Sequence, residues 1–243
     1  MLLTNSAHLP LRHIIPKAFH ITNFIRYKSV KPTYDDLSSY LEYADFVQVN
    51  KDTTVFQGTI FEMRAKEKLE KALKIKNLRH AGGAFDNGID LIGSLDILQY
   101  KTDKEPRKAV PLKGKRVKPL ILRKRTDLDV IIQCKSFSSK VTAKEIREQS
   151  GIFNFNIRRT DRNNSLMIMA ASSVLTSQGL TQLDTVDIPM IYCQISRLRQ
   201  IAENPYDLSS YEGGDLLGFY FNPYALALFE GTSFYEHTQS SCI

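Results

Sequence analysis

Two polar patterns at predicted strand ends constrain the fold of this chain more than any other feature of its sequence. The first is a glycine-rich run over residues 82–88, which leads to Asp90 and an apolar segment. The second is the triplet Gln133, Cys134 and Lys135, which ends another apolar run. Glycine lets the backbone turn tightly and approach a neighbour closely, so the first pattern predicts a sharp turn into a strand headed by an acid.

Strand periodicity separates the side chains of the triplet. Successive side chains point to opposite faces, so positions 131, 133 and 135 share one face and positions 130, 132 and 134 share the other. Gln133 and Lys135 are therefore expected on one face. Cys134 is expected to point into apolar packing, where its thiol is structural and only its backbone carbonyl can serve as a ligand.

The donor groups at these strand ends suit a divalent metal beside a phosphodiester. Mg²⁺ prefers one or two carboxylates and keeps its other positions for water and phosphate oxygens. Asp90 is the first candidate ligand, Gln133 can offer its amide oxygen, and Cys134 its carbonyl. The Lys135 ammonium can orient the attacking water or stabilise the phosphorane. Glu62, on a predicted helix, is the candidate second carboxylate, although a helix-capping role explains it equally well.

Helical and strand patterns interleave along the chain, which predicts an α/β domain with a mixed sheet. Predicted helices cover residues 35–43, 54–73, 142–155, 176–184 and 197–203. The second helix could be capped by Thr59, or could begin earlier, near Asp52 or Thr53. Predicted strands cover residues 89–100 with a bend at Gly93, then 120–122, 130–134, 165–171 and 188–195.

Positive charge is concentrated in two segments of a chain whose formal net charge is +7. Residues 1–34 carry five basic residues and no acid, which is typical of a mitochondrial transit segment; a basic tail is the alternative. Residues 101–126 carry eleven Lys and Arg against two acids and form a predicted insertion, and Pro106, Pro111 and Gly114 predict a loop over residues 101–118. This insertion is expected to form a flap over nucleic acid, or else to be solvated. Its candidate phosphate contacts are Lys113, Lys115, Arg116, Lys118, Arg123, Lys124 and Arg125.

The remaining features bound the domain organisation. We expect one domain over residues 35–203 and an aromatic-rich extension over residues 204–243 that packs onto it, with base stacking by one or two rings as the alternative. Three cysteines without ligand spacing indicate neither a disulfide framework nor a structural zinc. No apolar run of the sequence is long enough to span a bilayer.

Taken in order, these residues resemble the PD-(D/E)xK nuclease superfamily. Glu62 on a leading helix, the glycine run to Asp90, and Gln133-Cys134-Lys135 are most similar to its branch of Mrr-type restriction endonuclease-like proteins, where Gln commonly replaces the second acid. The resemblance covers about residues 52–200. It implies a restriction endonuclease-like αβββαβ core, a mixed central sheet flanked by helices, and Mg²⁺ or Mn²⁺ as cofactor.

With its basic start, the chain also resembles a fungal mitochondrial branch of this superfamily. That resemblance implies action on mitochondrial DNA in the matrix and a link to genome maintenance and respiratory growth. Two departures matter: Gln133 is neutral, which predicts weaker metal binding, and the segment 101–126 is longer than the compact hairpin usual in the family. A non-catalytic nucleic-acid-binding factor with the same fold is the alternative. RNA as substrate is a third reading, because a basic loop that follows a phosphate backbone does not require DNA.

Overall fold

The described part of the chain is built around a six-stranded sheet. The computed structural model describes residues 34–81, 87–136 and 138–242. The helices are α1 Leu37–Phe46, α2 Thr54–Leu73, α3 Ala143–Asn156, α4 Ser177–Thr185, α5 Pro223–Leu228 and α6 Phe234–Ser240. The strands are β1 Lys76–His80, β2 Leu91–Asp96, β3 Val110–Leu112, β4 Lys115–Val117, β5 Asp127–Lys135, β6 Ser165–Ala171, β7 Met190–Ile195, β8 Arg199–Gln200, β9 Tyr211–Glu212 and β10 Leu216–Phe221.

The main sheet is mixed, with the strand order β1-β2-β5-β6-β7-β10. Strands β5, β6 and β7 run parallel, whereas β1, β2 and β5 pair antiparallel and β10 closes the far edge antiparallel to β7. The elements α2, β1, β2, β5, α3 and β6 follow each other in the expected αβββαβ order, with the β3–β4 hairpin inserted between β2 and β5. The predicted α/β class with a mixed central sheet flanked by helices is confirmed.

Strand β5 separates two hydrophobic cores. Val130, Ile132 and Cys134 belong to the core beneath α2. Ile131 belongs to the core beneath α3, together with methionines of β6. The alternation read from the sequence therefore holds in the fold, and burial on both faces agrees with the apolar composition of central parallel strands.

Helix starts follow their capping residues. The Thr53 hydroxyl accepts a hydrogen bond from the Phe56 backbone N–H at the start of α2. Thr59 lies inside that helix and donates its hydroxyl to the Val55 carbonyl, so the earlier of the two predicted starts is correct. At α3, the Thr142 and Glu145 side chains form the reciprocal capping box that their spacing predicts.

Four local predictions were wrong. Residues 97–100, predicted as the end of the first strand, and residues 120–122, predicted as a separate strand, each form a short 3₁₀ helix. Residues 197–203 contain β8 instead of a helix. Residues 101–118 are not wholly a loop, because β3 and β4 form a hairpin within them. Lys113 and Gly114, with φ of 47° and 76°, make the two-residue turn of this hairpin, which is the backbone pattern of a type I′ turn.

The C-terminal aromatic residues contribute to the main core. Strand β10 forms one edge of the sheet. Phe221, Phe229 and Phe234 pack against one another, mostly edge to face, within the core beneath α2. Residues 1–33, which hold nearly all of the predicted transit segment, lie outside the described residues. No helix in the described ranges is long and apolar enough to cross a membrane.

Candidate active site

A buried carboxylate joins two neighbouring strands at the end of β5. The Asp90 backbone N–H donates to the Ile132 carbonyl at 3.0 Å, which extends the pairing of β2 with β5 by one residue. Asp90 Oδ2 accepts the Gln133 side-chain amide and the Cys134 backbone N–H, both at 2.6 Å. Asp90 and Gln133 are each 5% exposed. The structure thus brings together the predicted carboxylate and the predicted amide.

Gly88 allows the turn before Asp90 to approach α3 closely. Its φ is +78°, and a Cβ built on it would lie 2.6 Å from Ile152 Cδ1 and 3.3 Å from Gln133 Oε1. Any larger residue would therefore press on both Ile152 and the Gln133 amide. The Asn156 amide donates to the Asn87 carbonyl at 3.2 Å and ties the same turn to α3. Residues 82–86 of the glycine run, which include the acid at position 86, lie outside the described residues.

Lys135 lies two residues beyond Gln133 on the same face of β5. Its Nζ is 3.7 Å from Glu148 Oε1 on α3, beyond hydrogen-bonding distance, and its side chain is 28% exposed. Partly exposed ion pairs of this kind contribute little to stability. Lys135 is therefore a half-buried cation at the strand end, and its one ionic partner among the described residues holds it loosely.

Glu62 makes a different contact from the one its sequence context suggests. Because Thr53 caps α2, a capping role for Glu62 is wrong. Glu62 Oε2 instead lies 2.7 Å from His80 Nε2 on β1. Sequence reasoning missed His80, and no local pattern identifies it, because its contact with Glu62 depends on the packing of α2 over the sheet.

Cys134 is a structural residue at this strand end. Burial, together with the nearby carboxylates of Asp90 and Glu62, raises the pKa of its thiol well above the usual value. The thiol therefore stays protonated at neutral pH and is a poor nucleophile. Its backbone N–H anchors Asp90, while the backbone carbonyl as a metal ligand stays a prediction.

The residues at this strand end fit a hard divalent ion. The Asp90 carboxylate and the Gln133 amide supply oxygen donors of the kind that Mg²⁺ and Mn²⁺ prefer. Gln133 Oε1 is buried and has no hydrogen-bond partner in the part of the chain that the structure describes. Those same residues include no cluster of three or more His, Cys, Asp and Glu side chains that could hold a metal. Asp90 and Gln133 are the two side chains here that could bind such an ion, and its other positions would be left to water, substrate and the predicted Cys134 carbonyl.

The basic segment 101–126 lies at the other end of the sheet. Five of its cations line a cleft of about 490 Å³, together with Asn163 and Asn164, which precede β6. Because β6 runs parallel to β5, this cleft adjoins the start of β5, and about 26 Å of strand separates it from Lys135. The basic segment therefore does not cover the Gln133–Lys135 triplet, and its contact with nucleic acid stays a prediction.

Several cations of this segment are held by the protein itself. Lys113 donates to the Asp184 carbonyl at 2.6 Å, and Lys115 pairs with Asp187. The Arg123 guanidinium donates to the Lys118 carbonyl at 3.0 Å, and burial lowers its pKa. The cations that line the cleft without an ion pair in the described residues are Arg116, Lys118, Arg123 and Lys124.

The fold and the strand-end groups first define a class. A mixed sheet with the αβββαβ order and with Asp90, Gln133 and Lys135 at its strand ends is a restriction endonuclease-like α/β domain. A family model described as Required for respiratory growth protein 7 matches residues 53–229, well over half of the chain. The chain belongs to this family.

Individual relatives agree with that assignment. "Required for respiratory growth protein 7, mitochondrial" from Zygosaccharomyces rouxii is 35% identical over 208 residues, which cover 79% of this chain and 85% of the relative. The protein of the same name from Kluyveromyces lactis is 31% identical over 205 residues, covering 80% and 85%. The predicted mitochondrial location and the resemblance to a fungal respiratory-growth protein are confirmed.

One solved structure shows a limited similarity. The DNA modification-dependent restriction endonuclease AspBHI matches with a TM-score of 0.33 and 12% identity, covering 64% of this chain and 32% of that chain. A similarity of this size carries no argument about activity or substrate.

Proposed function

We propose that the protein is a metal-dependent nuclease that cleaves DNA phosphodiesters in the mitochondrial matrix and supports maintenance of the mitochondrial genome. The observation that carries this proposal is the hydrogen bond from Gln133 to Asp90 at a strand end, with Lys135 two residues further on. A carboxylate, an amide group and an ammonium thereby lie close together where β5 ends. That set suits an anionic diester and a hard cation.

Each residue has a separate role in this proposal. Asp90 and Gln133 would hold the metal ion, with the Cys134 carbonyl as a further ligand. A bound Mg²⁺ or Mn²⁺ would acidify its water and neutralise charge that develops on the phosphate. The Lys135 ammonium orients the attacking water or stabilises the phosphorane. Glu62, whose Oε2 contacts His80, supports the site electrostatically from the α2 face.

The basic cleft is a second contact region for the same ligand. Its distance from Lys135 makes it an anchor for phosphates several nucleotides from the scissile bond. Each Lys or Arg contact to a phosphate steepens the salt dependence of binding. The seven proposed anchoring residues are those predicted from the sequence: Lys113, Lys115, Arg116, Lys118, Arg123, Lys124 and Arg125. Lys115 must break its ion pair with Asp187 before it can contact a phosphate.

The metal requirement tests the proposal. The purified full chain is incubated with end-labelled single- and double-stranded DNA in Mg²⁺, Mn²⁺ or EDTA, and we expect cleavage only with a metal. In Gln133→Glu, a carboxylate replaces the amide ligand, so half-maximal cleavage should need less Mg²⁺. Gln178→Glu adds the same charge on the exposed surface of α4 and should leave that concentration unchanged. DNA that is bound but intact with every metal would contradict the proposal.

A non-catalytic DNA-binding factor with this fold is the second candidate. Asp90 Oδ2 already accepts two protein hydrogen bonds, and Lys135 is paired, although loosely, with Glu148. Such an arrangement also suits a site that is kept for structure alone. This candidate predicts salt-dependent DNA binding without strand cleavage, and the same assay distinguishes it from the nuclease.

A further inference from the structure

A groove of about 550 Å³ opens beside Lys135, between α2 and the end of β5. Its walls come from the first turns of α2, from the last residues of β5, and from the segment that follows β7. The groove is lined by Lys135 and Cys134 of the candidate active site, but not by Asp90 or Gln133. A ligand held there would lie beside Lys135.

The chemistry of the groove is cationic at the rim and apolar at the floor. Arg197 is exposed at the rim and makes no ion pair with any residue that the structure describes. The positive charges of Arg197 and Lys135 exceed the single negative charge of Asp52, the one acid among the lining residues. Phe61 and Leu198, both buried, form part of the floor. A phosphate at the rim and a sugar or base against the floor match this distribution.

Gly58 leaves space in the wall of the groove. Glycine inside a helix is less favourable than alanine, so its position in α2 is not explained by helix stability. The nearest atom to a Cβ built on Gly58 is Glu62 Oε1 at 3.8 Å, an ordinary van der Waals distance. The protein could therefore accommodate a side chain, and the volume that such a side chain would fill belongs to the groove.

We propose that this groove holds one unpaired nucleotide of a DNA strand, next to the phosphodiester beside Lys135, and that Arg197 contacts its phosphate. The inference rests on the proposed function and specifies its substrate as single-stranded or unpaired DNA. Sites that enclose one small organic ligand measure about 300–1,000 Å³, so the groove has room for a single nucleotide unit. A base within a duplex must first be unstacked and unpaired to enter it, which lowers the affinity for duplex.

Binding in EDTA tests the inference apart from cleavage. The dissociation constants of the full chain for a labelled single strand and for the blunt duplex of the same sequence are measured by fluorescence anisotropy. We expect the single strand to bind at least about 10-fold more tightly, because a base of the duplex must be unpaired before it enters the groove. Arg197→Ala should weaken binding of the single strand about 10-fold and reduce its salt slope by about 0.7. Gly58→Leu should weaken it similarly by filling the groove.

Two control variants match these changes. Arg199→Ala removes an exposed arginine of β8 that does not line the groove. Gly151→Leu adds the same side chain to α3 where a Cβ meets no atom within 4 Å. Both controls should bind the single strand as wild type does. If the melting temperature of Gly58→Leu is below that of wild type, the test of the groove depends on Arg197→Ala alone, because replacing an exposed arginine should not disturb the fold.

The outcomes separate this inference from the proposed function. Equal affinity for single strand and duplex, or equal losses in the groove variants and their controls, would overturn the groove as a binding site. Single-strand preference that depends on Arg197, without cleavage under any metal, would support the groove and refute the nuclease. Metal-dependent cleavage of duplex at the wild-type rate by Gly58→Leu would refute the groove and leave the nuclease standing.

Discussion

Replacing Asp90 by alanine should destabilise the protein even when no metal or nucleic acid is present. The side chain is buried and its Oδ2 accepts the Gln133 amide and the Cys134 backbone N–H at 2.6 Å each. Alanine leaves both buried donors without that acceptor. Each such loss costs about 1–3 kcal/mol, so the free energy of unfolding should fall by about 2–6 kcal/mol. That is a large part of the roughly 5–15 kcal/mol typical of a domain.

The assay is urea unfolding of the full chain in EDTA, followed by circular dichroism. Asp90→Asn keeps the shape and an acceptor oxygen but loses the charge, so its loss should be about half as large. Asp103→Ala removes an exposed acid of the basic segment and should stay within about 0.5 kcal/mol of wild type. An Asp90→Ala protein as stable as the Asp103→Ala control would refute the view that Asp90 anchors the strand end.

This result also decides how activity data are interpreted. If Asp90→Ala is destabilised as predicted, lost cleavage in that variant has two causes, an altered fold and a missing ligand. The Lys135 side chain makes no such buried hydrogen bond with any residue in the described ranges, and its partner Glu148 is 3.7 Å away. Lys135 is therefore the better position at which to separate catalysis from folding.

Three further predictions concern the surroundings of the site. Gly88→Ala should lower the free energy of unfolding in urea titrations by about 1–3 kcal/mol, because alanine is strained at φ +78° and its methyl group would press on Ile152 Cδ1. Gln149→Leu should raise the melting temperature, because both amide atoms of Gln149 are buried without a hydrogen-bond partner in the described residues; a lower melting temperature would contradict this. Hydrogen bonds from Thr142 lower the pKa of the Glu145 carboxyl below 4.5, so its stabilising effect is present above pH 4.5 and is lost as the pH falls through the lowered value. The difference in urea midpoint between wild type and Glu145→Ala should therefore shrink from about pH 7 to about pH 3.

Local periodicity was enough to predict the central part of the fold. The alternation over β5 placed Cys134 on one face and its two neighbours Gln133 and Lys135 on the other, because the pleat fixes side-chain direction. The spacing of Thr142 and Glu145 located the start of α3, since a capping box involves residues only three positions apart. Both features involve residues that are close together in the chain, so the sequence alone is enough to predict them.

Long-range packing determined what the sequence could not predict. The basic segment lies between the two motif strands in sequence, yet the direction of β5 places it at the opposite end of the sheet from Lys135. The contact of Glu62 with His80 depends on how α2 crosses β1. Arg197 lines the groove because it follows β7, and the parallel strands β5 and β7 end on the same side of the sheet.

The most direct test of the nuclease is the single-turnover rate of Mg²⁺-dependent DNA cleavage by Lys135→Ala. Its DNA affinity is measured in the same buffer, and Lys71→Ala, which removes an exposed lysine from the last turn of α2, serves as the control. We predict a loss of about 10²–10³-fold in rate for Lys135→Ala at nearly unchanged affinity, and no loss for the control. Equal rates in all three proteins, or DNA that all three bind and none cleaves, would contradict the assignment of this strand end as an active site.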